Sequence, residues 1–462
     1  MAIVTRTDVI RAIIEGNAPM SLAEIVTTEI NEWVGSERYR GMQAADEYYG
    51  NRSDVQRKKK TIENVKRSNT KLEHSIFRKL VDQKTNYLLS KKFSIASDSE
   101  TYAAAINEIF DDGARRIVKA WGRSAIKSGI GWLHPSPSDG KLKFRGIPGL
   151  RAIPFWRDEE HTILDALIIF YKQDVYVGRE QKKITRAEFW SATGVEYFVR
   201  TEDNGQFKID YEKGVREDHL TLNGKPYNWE RPPFVALKYN EDEWSLLRFV
   251  KELIDDVNWQ TSVTADTLRD ISLFIYVLRG YGGEDLATFI SKLQSTLAID
   301  VSAEGGVEKL TANVDIGAVT ALLAQHRRDI YDYARSVDTQ DPNLGNASGQ
   351  ALKFRYADLD MDANDLEQEM LAAFEVLKIY IDGYLQATGK GDFTKDTFTV
   401  TFNRDIIVNE LDAITMCRDS SGVISKKTII DNHPWVTNVD AEMVQMDKER
   451  GGVDPYPRHP VA

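Results

Sequence analysis

Two runs decide how the chain is read: residues 338–362, DTQDPNLGNASGQALKFRYADLDMD, and residues 369–386, EMLAAFEVLKIYIDGYLQ. Asp341-Pro342, Asn343, Gly345-Asn346 and Ser348-Gly349 are turn formers without apolar periodicity, so a loop gives way abruptly to a helical pattern. Apolar residues then recur at Leu352, Tyr356, Leu359, Ala363, Leu366, Met370, Phe374, Leu377, Ile381 and Tyr384. Steps of three and four place one stripe along a single helix. That helix is predicted to be about 50 Å long at 1.5 Å per residue, longer than an ordinary core needs. Something large is expected to pack on it.

With 462 residues and 42% hydrophobic content, the chain can bury a sizeable core and hold several domains. Cys417 is the only cysteine, which excludes an internal disulfide framework or a cysteine-rich metal site and points to assembly in a reducing compartment. No apolar run approaches the roughly 18 residues of a membrane span, and Asp8 and Glu15 interrupt any N-terminal signal. The expectation is a protein that is cytosolic when made, with no membrane partner. A net charge of −11 argues against a protein whose main work is gripping a phosphate backbone.

On the N-terminal side, residues 1–50 read as two helices. Ser21 and Glu24 suggest a capping box, and the second helix runs through Trp33 to a stop at Gly50-Asn51. A basic block from Arg52 to Lys84 is read as a solvated face rather than a nucleic-acid patch, because few aromatics interleave with it. SIFRKLVDQKTNYLL (75–89) is an amphipathic helix, KKFSIAS (91–97) holds a short strand, and residues 101–130 give a helix broken or bent near Gly113. Between 131 and 237 the period changes to two. ALIIFYKQDVYVG (166–178) and GVEYFVRTEDNGQFKIDY (194–211) alternate apolar with polar residues, Asp203-Asn204-Gly205 and Asn223-Gly224 are hairpin turns, and Arg231-Pro232-Pro233 closes the region. The class is therefore α+β.

A second long helical pattern spans 244–272, with a narrower seam from Leu247 to Ile271 that suits sideways packing on other helices. Residues 273–315 read as a small α/β unit: strand LFIYVL (273–278), helix EDLATFISKLQ (284–294), and strands STLAIDVS (295–302) and VEKLTANV (307–314). The helical period resumes in AVTALLAQHRRDIYDYARSV (318–337).

Chemistry is sparse. There is no phosphate loop, no dinucleotide fingerprint, no H-E-x-x-H and no G-x-S-x-G, and the seven histidines lack metal-ligand spacing. Asp358, Asp360, Asp362 and Asp365 lack the Gly and Glu of a calcium loop and read as a solvated helix face; Gly280-Tyr281-Gly282-Gly283 reads as a turn. No enzyme, cofactor or metal is expected.

The order of helix, small α/β insert, helix, Gly/Asn/Ser loop and long helix resembles the tailed-bacteriophage portal protein family. NLGNASGQALK (343–353) is similar to the family's loop-to-helix signature, Thr399 to Asp405 to its strand after the long helix, and GVISKKTII (422–430) to its near-C-terminal segment. Tyr87-Leu88-Leu89 resembles a family helix end, with Ser90 and Lys92 in place of the customary Gly and Pro. The resemblance, over roughly residues 35–450, implies a ring of about twelve subunits around an axial channel.

It also implies a division of the chain. Residues 1–242 would be the wing, 243–272 and 316–337 stem helices, 273–315 the clip, 338–349 the channel loop, 350–386 a helix joining wing to crown, and 387–462 a strand returning to the wing followed by the crown. Double-stranded DNA would pass the loop residues Asp338, Gln340, Asp341, Asn343, Asn346, Ser348 and Gly349 without sequence specificity. Clip residues Phe274, Tyr276, Leu278, Leu297 and Ile299 would meet neighbouring subunits and the terminase large subunit. Other implied partners are the major capsid and scaffolding proteins and a head-completion adaptor, with the protein at the capsid's portal vertex in the virion and in the host cytoplasm during assembly. The rival readings are another head-tail connector or minor head protein, typically shorter and without an inserted clip, and a packaging ATPase, which would need a phosphate loop.

Overall fold

A computed structural model describes residues 6–14, 20–57, 68–138, 140–201, 205–222, 224–270, 275–279, 306–310, 315–341, 349–404, 410–436 and 439–451, with isolated positions between 285 and 291. The N-terminal region holds three helices, not two: α1 (Arg6–Ile14), α2 (Leu22–Gly35) and α3 (Glu37–Tyr49). Ser21 caps α2, its hydroxyl accepting from the Glu24 amide while the Glu24 carboxylate accepts from the Ser21 amide. The extra break falls at Ser36, in extended backbone, whose hydroxyl accepts from the Tyr39 amide and starts α3 afresh.

α4 (Ile76–Leu89) and β1 (Ser94–Ala96) follow as expected. The next helix is split two residues before Gly113, into α5 (Glu100–Ile109) and α6 (Asp112–Ser128), because Asp111 caps α6 by accepting from the Ala114 amide at 2.8 Å.

The sheet region has two layers. A six-stranded antiparallel sheet contains β4 (Ala152–Trp156), β5 (Leu164–Val177), β6 (Glu180–Ser191), β7 (Gly194–Arg200) and β8 (Lys208–Ile209) in order, with β9 (Arg216–Glu217) also on β7. Both of its faces are buried along the first half of β5 and the second half of β6. Along β5, Ala166, Ile168 and Phe170 face α1 and α2, whereas Leu167 and Ile169 face the second layer, as the period of two requires. That layer comprises β2 (Ile130–Ser138) between β3 (Lys141–Pro148) and β12 (Val235–Lys238). Strand pairing thus continues past the Pro232-Pro233 expected to close the region. At Gly129, φ is +89° and a Cβ would lie 2.0 Å from the Glu243 carbonyl oxygen, so the turn into β2 requires glycine. Gly224 lies between β10 (Leu220–Leu222) and β11 (Lys225–Tyr227), which pair antiparallel; Asn223 of that expected turn, and Asp203 and Asn204 of the other, lie outside the described residues.

Beyond β12, α7 (Leu247–Asp270) starts three residues later than the pattern suggested. Its first half is sunk in the main core through Leu247, Val250, Ile254 and Val257, contrary to the expected sideways helix; further on, Trp259 and Leu268 are exposed. β13 (Ile275–Arg279) pairs antiparallel with β14 (Gly306–Leu310) of the same chain. Apart from Asp285, Thr288 and Ser291, the expected intervening helix and the strand at 295–302 lie outside the described residues. α8 (Ile316–Tyr333) ends four residues short of the expected 337, at a turn where Arg335 takes φ +46°.

The long helix is α9 (Gly349–Ala387), 39 residues. Nine of its ten stripe positions, Tyr356 to Tyr384, are buried. They form the spine of the main core, on which α4, α5, α6, the first half of α7 and β12 pack. β15 (Thr399–Thr401) then returns to pair with β1, and helices at Glu410–Asp419, Lys426–Asp431 and Val439–Gly451 are the last described elements.

Candidate functional site at the start of the long helix

The loop-to-helix junction is held by α4. Gln83 clamps the Val337 peptide, its amide donating to the Val337 carbonyl at 2.9 Å and its oxygen accepting from the Val337 amide at 3.2 Å. One residue on, the Lys84 ammonium donates to the Arg335 carbonyl at 3.2 Å and pairs with Asp362 at 2.7 Å. Asp362 also accepts from the Tyr239 hydroxyl at 2.9 Å. All three are buried, so burial pulls the Lys84 pKa down and pushes that of Tyr239 well up. Tyr87 donates to Asp360, and Arg335 reaches Asp365 at 3.3 Å. Three of the four aspartates read as a solvated face thus tie α9 to the body of the chain.

Of the seven loop residues proposed from sequence, Asp338, Gln340 and Asp341 are described, Gly349 is the first residue of α9, and Asn343, Asn346 and Ser348 lie outside the described residues. Arg327 of α8 holds the loop's first turn: it bonds both Asp338 oxygens, one at 2.8 Å, and donates to the Gln340 side chain at 2.8 Å. This bonding to Arg327 holds the Asp338 carboxyl below the usual aspartate range. Lys79 lies 3.8 Å from Asp338, and Arg355 of α9 reaches back to Asp341 at 2.5 Å. α4, α8 and α9 thus supply a basic partner to each described acid of the loop. The basic block pairs likewise: Arg57 with Glu47 and Asp54, Arg78 with Asp82, Lys84 with Asp362.

Sequence reasoning missed a second support. Residues 70–74 run extended along α7, donating backbone amides to its side chains: Thr70 to Asp266 at 2.6 Å, Leu72 to Ser262 at 2.9 Å and His74 to Asn258 at 2.9 Å. Two extended residues advance about 6.6 Å and four helical residues about 6.0 Å, so the periods match. Asp266, Ser262 and Asn258 at four-residue spacing were the available signal. Of the proposed clip residues, Tyr276 and Leu278 lie on β13, while Phe274, Leu297 and Ile299 lie outside the described residues. Among the described residues no group of three metal-ligating side chains occurs, and no helix is long and apolar enough to cross a membrane.

The fold and the junction define a structural subunit, in which one long helix organises the core and charged groups serve as cross-links between elements. A family model described as phage portal protein, SPP1 Gp6-like, matches residues 34–456, and the chain belongs to that family. Its function is that of a phage portal protein, and the family is structural rather than catalytic. The chain is similar to the portal protein of Bacillus phage SPP1, 29% identical over 461 residues with 96% of this chain and 90% of the relative covered. It is also similar to the portal protein of Clostridium phage phiCD119, 26% identical over 430 residues, covering 88% and 92%. Among solved structures it resembles a chain in the neck of a native gene transfer agent particle, with TM-score 0.41, 12% identity and 76% and 86% coverage. A chain from the neck of the empty particle gives TM-score 0.43, 12% identity and 77% and 88% coverage.

Proposed function

We propose that the chain assembles into a closed ring of about twelve copies at the portal vertex of the capsid, forming the channel through which the genome is packaged and ejected. The observation that carries this reading is apolar surface left open on the helices. Trp259 and Leu268 on α7 and Phe354 on α9 are 47%, 49% and 75% exposed in the single chain. Residues 338–349 then line the channel. Their acids, neutralised within the chain, offer passing DNA neither a cationic grip nor a strong repulsive field. Residues 273–315 form the clip, where the terminase large subunit and later a head-completion adaptor dock, and the major capsid and scaffolding proteins meet the wing. Assembly takes place in the host cytoplasm, and the protein itself performs no catalysis.

The test is a native mass measurement with axial class averages of the purified protein. A closed ring with a central hole supports the reading; monomer at micromolar concentration across several salts overturns it.

A further inference from the structure

Two clefts flank the first turns of α7. One, about 490 Å³, lies between α3 and α7 and is lined by Arg38, Arg40, Trp244, Arg248, Lys251 and Glu252, among others. The other, about 540 Å³, lies between α7, the end of α8 and α9 and includes Glu241, Phe249, Tyr333, Asp365 and Glu369. The core stripe Leu247, Val250, Ile254 and Val257 separates them: at about 100° per residue, Arg248 and Lys251 fall on one side of it and Phe249 on the other.

The two clefts differ in chemistry. In the first, the Arg248 guanidinium stacks 3.7 Å from the Trp244 ring centre, Arg38 lies 5.7 Å from the same ring, and Arg40 is exposed, bonding among the described residues only the Ser36 carbonyl, at 3.4 Å. Arg248 pairs with Glu37 at 2.8 Å, Arg38 with Glu243 at 2.7 Å and Lys251 with Asp54 and Asp255 at 2.8 and 2.6 Å, so Arg40 is the cleft cation without a carboxylate partner among the described residues, and Glu252 lies at the rim. In the second, Phe249 and Tyr333 are 51% and 62% exposed. Glu241 and Glu369 are in no ion pair among the described residues; Arg335 is the basic group there and is held by Asp365. Burial pushes the Glu369 carboxyl up; Lys238 opposes the shift and Glu241 adds to it.

We propose that these clefts are the two halves of one interface between copies of this chain: the acidic, aromatic cleft of one subunit docks on the Arg40, Trp244 and Arg248 cleft of the next. The halves sit on different flanks of α7 and are unlike each other, so the contact is head-to-tail, the kind from which a ring is built, rather than a two-fold dimer. Charge complementarity sets the direction of the ring, and Phe249 gains an aromatic and guanidinium surface to cover it. The proposal rests on the ring reading and gives it a residue-level interface.

The test introduces Arg40→Cys and Glu241→Cys together, in a Cys417→Ala background, and bridges them with a short bis-maleimide. The double variant is expected to give a ladder of covalent oligomers on a denaturing gel, and each single variant none. Arg40→Glu should raise the concentration for half-assembly about tenfold or more, because like charges then face each other, and adding Glu241→Lys should restore it. Rings in the native mass spectrum without a covalent ladder would overturn this interface while leaving the ring intact. Dimers from either single variant would overturn its head-to-tail sense. A parent protein that stays monomeric would remove the ring and this interface together.

Discussion

The ammonium group of Lys84 on α4 lies 2.7 Å from the carboxylate of Asp362 on α9, their side chains 1% and 11% exposed. Removing one partner strands the other charge in the core, and the predicted loss for Lys84→Met is about 3–5 kcal/mol. Lys84→Met with Asp362→Leu should recover most of it, because the buried charge is gone with its partner. Thermal melting of the parent, single and double variants checks this; an unchanged single variant would show that the site opens to water.

His134 sets a pH limit on stability. It is enclosed by Trp190 and Phe234, bonds the Pro233 carbonyl through Nδ1 at 2.8 Å, and burial takes its pKa from 6.5 to about 3. The folded imidazole stays neutral where the unfolded one takes a proton, so stability falls as pH drops from 6.5 towards 3. The slope from this group is at most about 1.4 kcal/mol per pH unit. His219, also shifted down by burial, adds in the same direction. Denaturant midpoints measured between pH 7 and 4 should decline, and His134→Gln should flatten the decline.

Asn258 is fully buried on α7; its side chain accepts from the His74 amide and donates to the Ser53 hydroxyl at 3.2 Å. Asn258→Leu leaves both without partners and should cost about 1–3 kcal/mol. Hydrogen exchange should accelerate at the His74 amide, while Ser262→Ala should accelerate it at Leu72. Exchange unchanged at both amides would show that residues 70–74 are held by other contacts.

The long helix was legible because its stripe steps by three and four without a break, and Tyr356 to Tyr384 bury as the stripe demands. The sheet was legible from its period of two. What stayed hidden depends on partners distant in sequence. Lys84 looked like one more cation in a basic block and Asp362 like a solvated acid, since nothing local marks a pair 278 positions apart. Ser36 was missed because serine is tolerated inside a helix as well as at its cap; only the hydroxyl accepting from Tyr39 decides the break. The cations opposite Asp338 and Asp341 come from α8 and α9, outside the loop from which their environment was judged.

Gln83 provides the last prediction, because it holds the loop at one peptide. Both of its polar atoms are spent on Val337, immediately before Asp338, so Gln83→Ala removes two hydrogen bonds and frees the backbone entering the loop. The Arg327 contacts to Asp338 and Gln340 remain, as does the Lys84 bond to Arg335, so the loss is local. Neutral hydrogen bonds of this kind contribute about 1 kcal/mol each, too little to unfold the core. The expected result is intact assembly with faster hydrogen exchange across 337–341 and a slower, less complete DNA packaging reaction. Gln83→Glu separates the bonds from the bulk: the carboxylate can still accept from the Val337 amide but repels its carbonyl, so it should fall between parent and Gln83→Ala. Packaging at the parental rate in Gln83→Ala, with exchange across 337–341 visibly raised, would show that the entry to this loop does not bear on DNA movement.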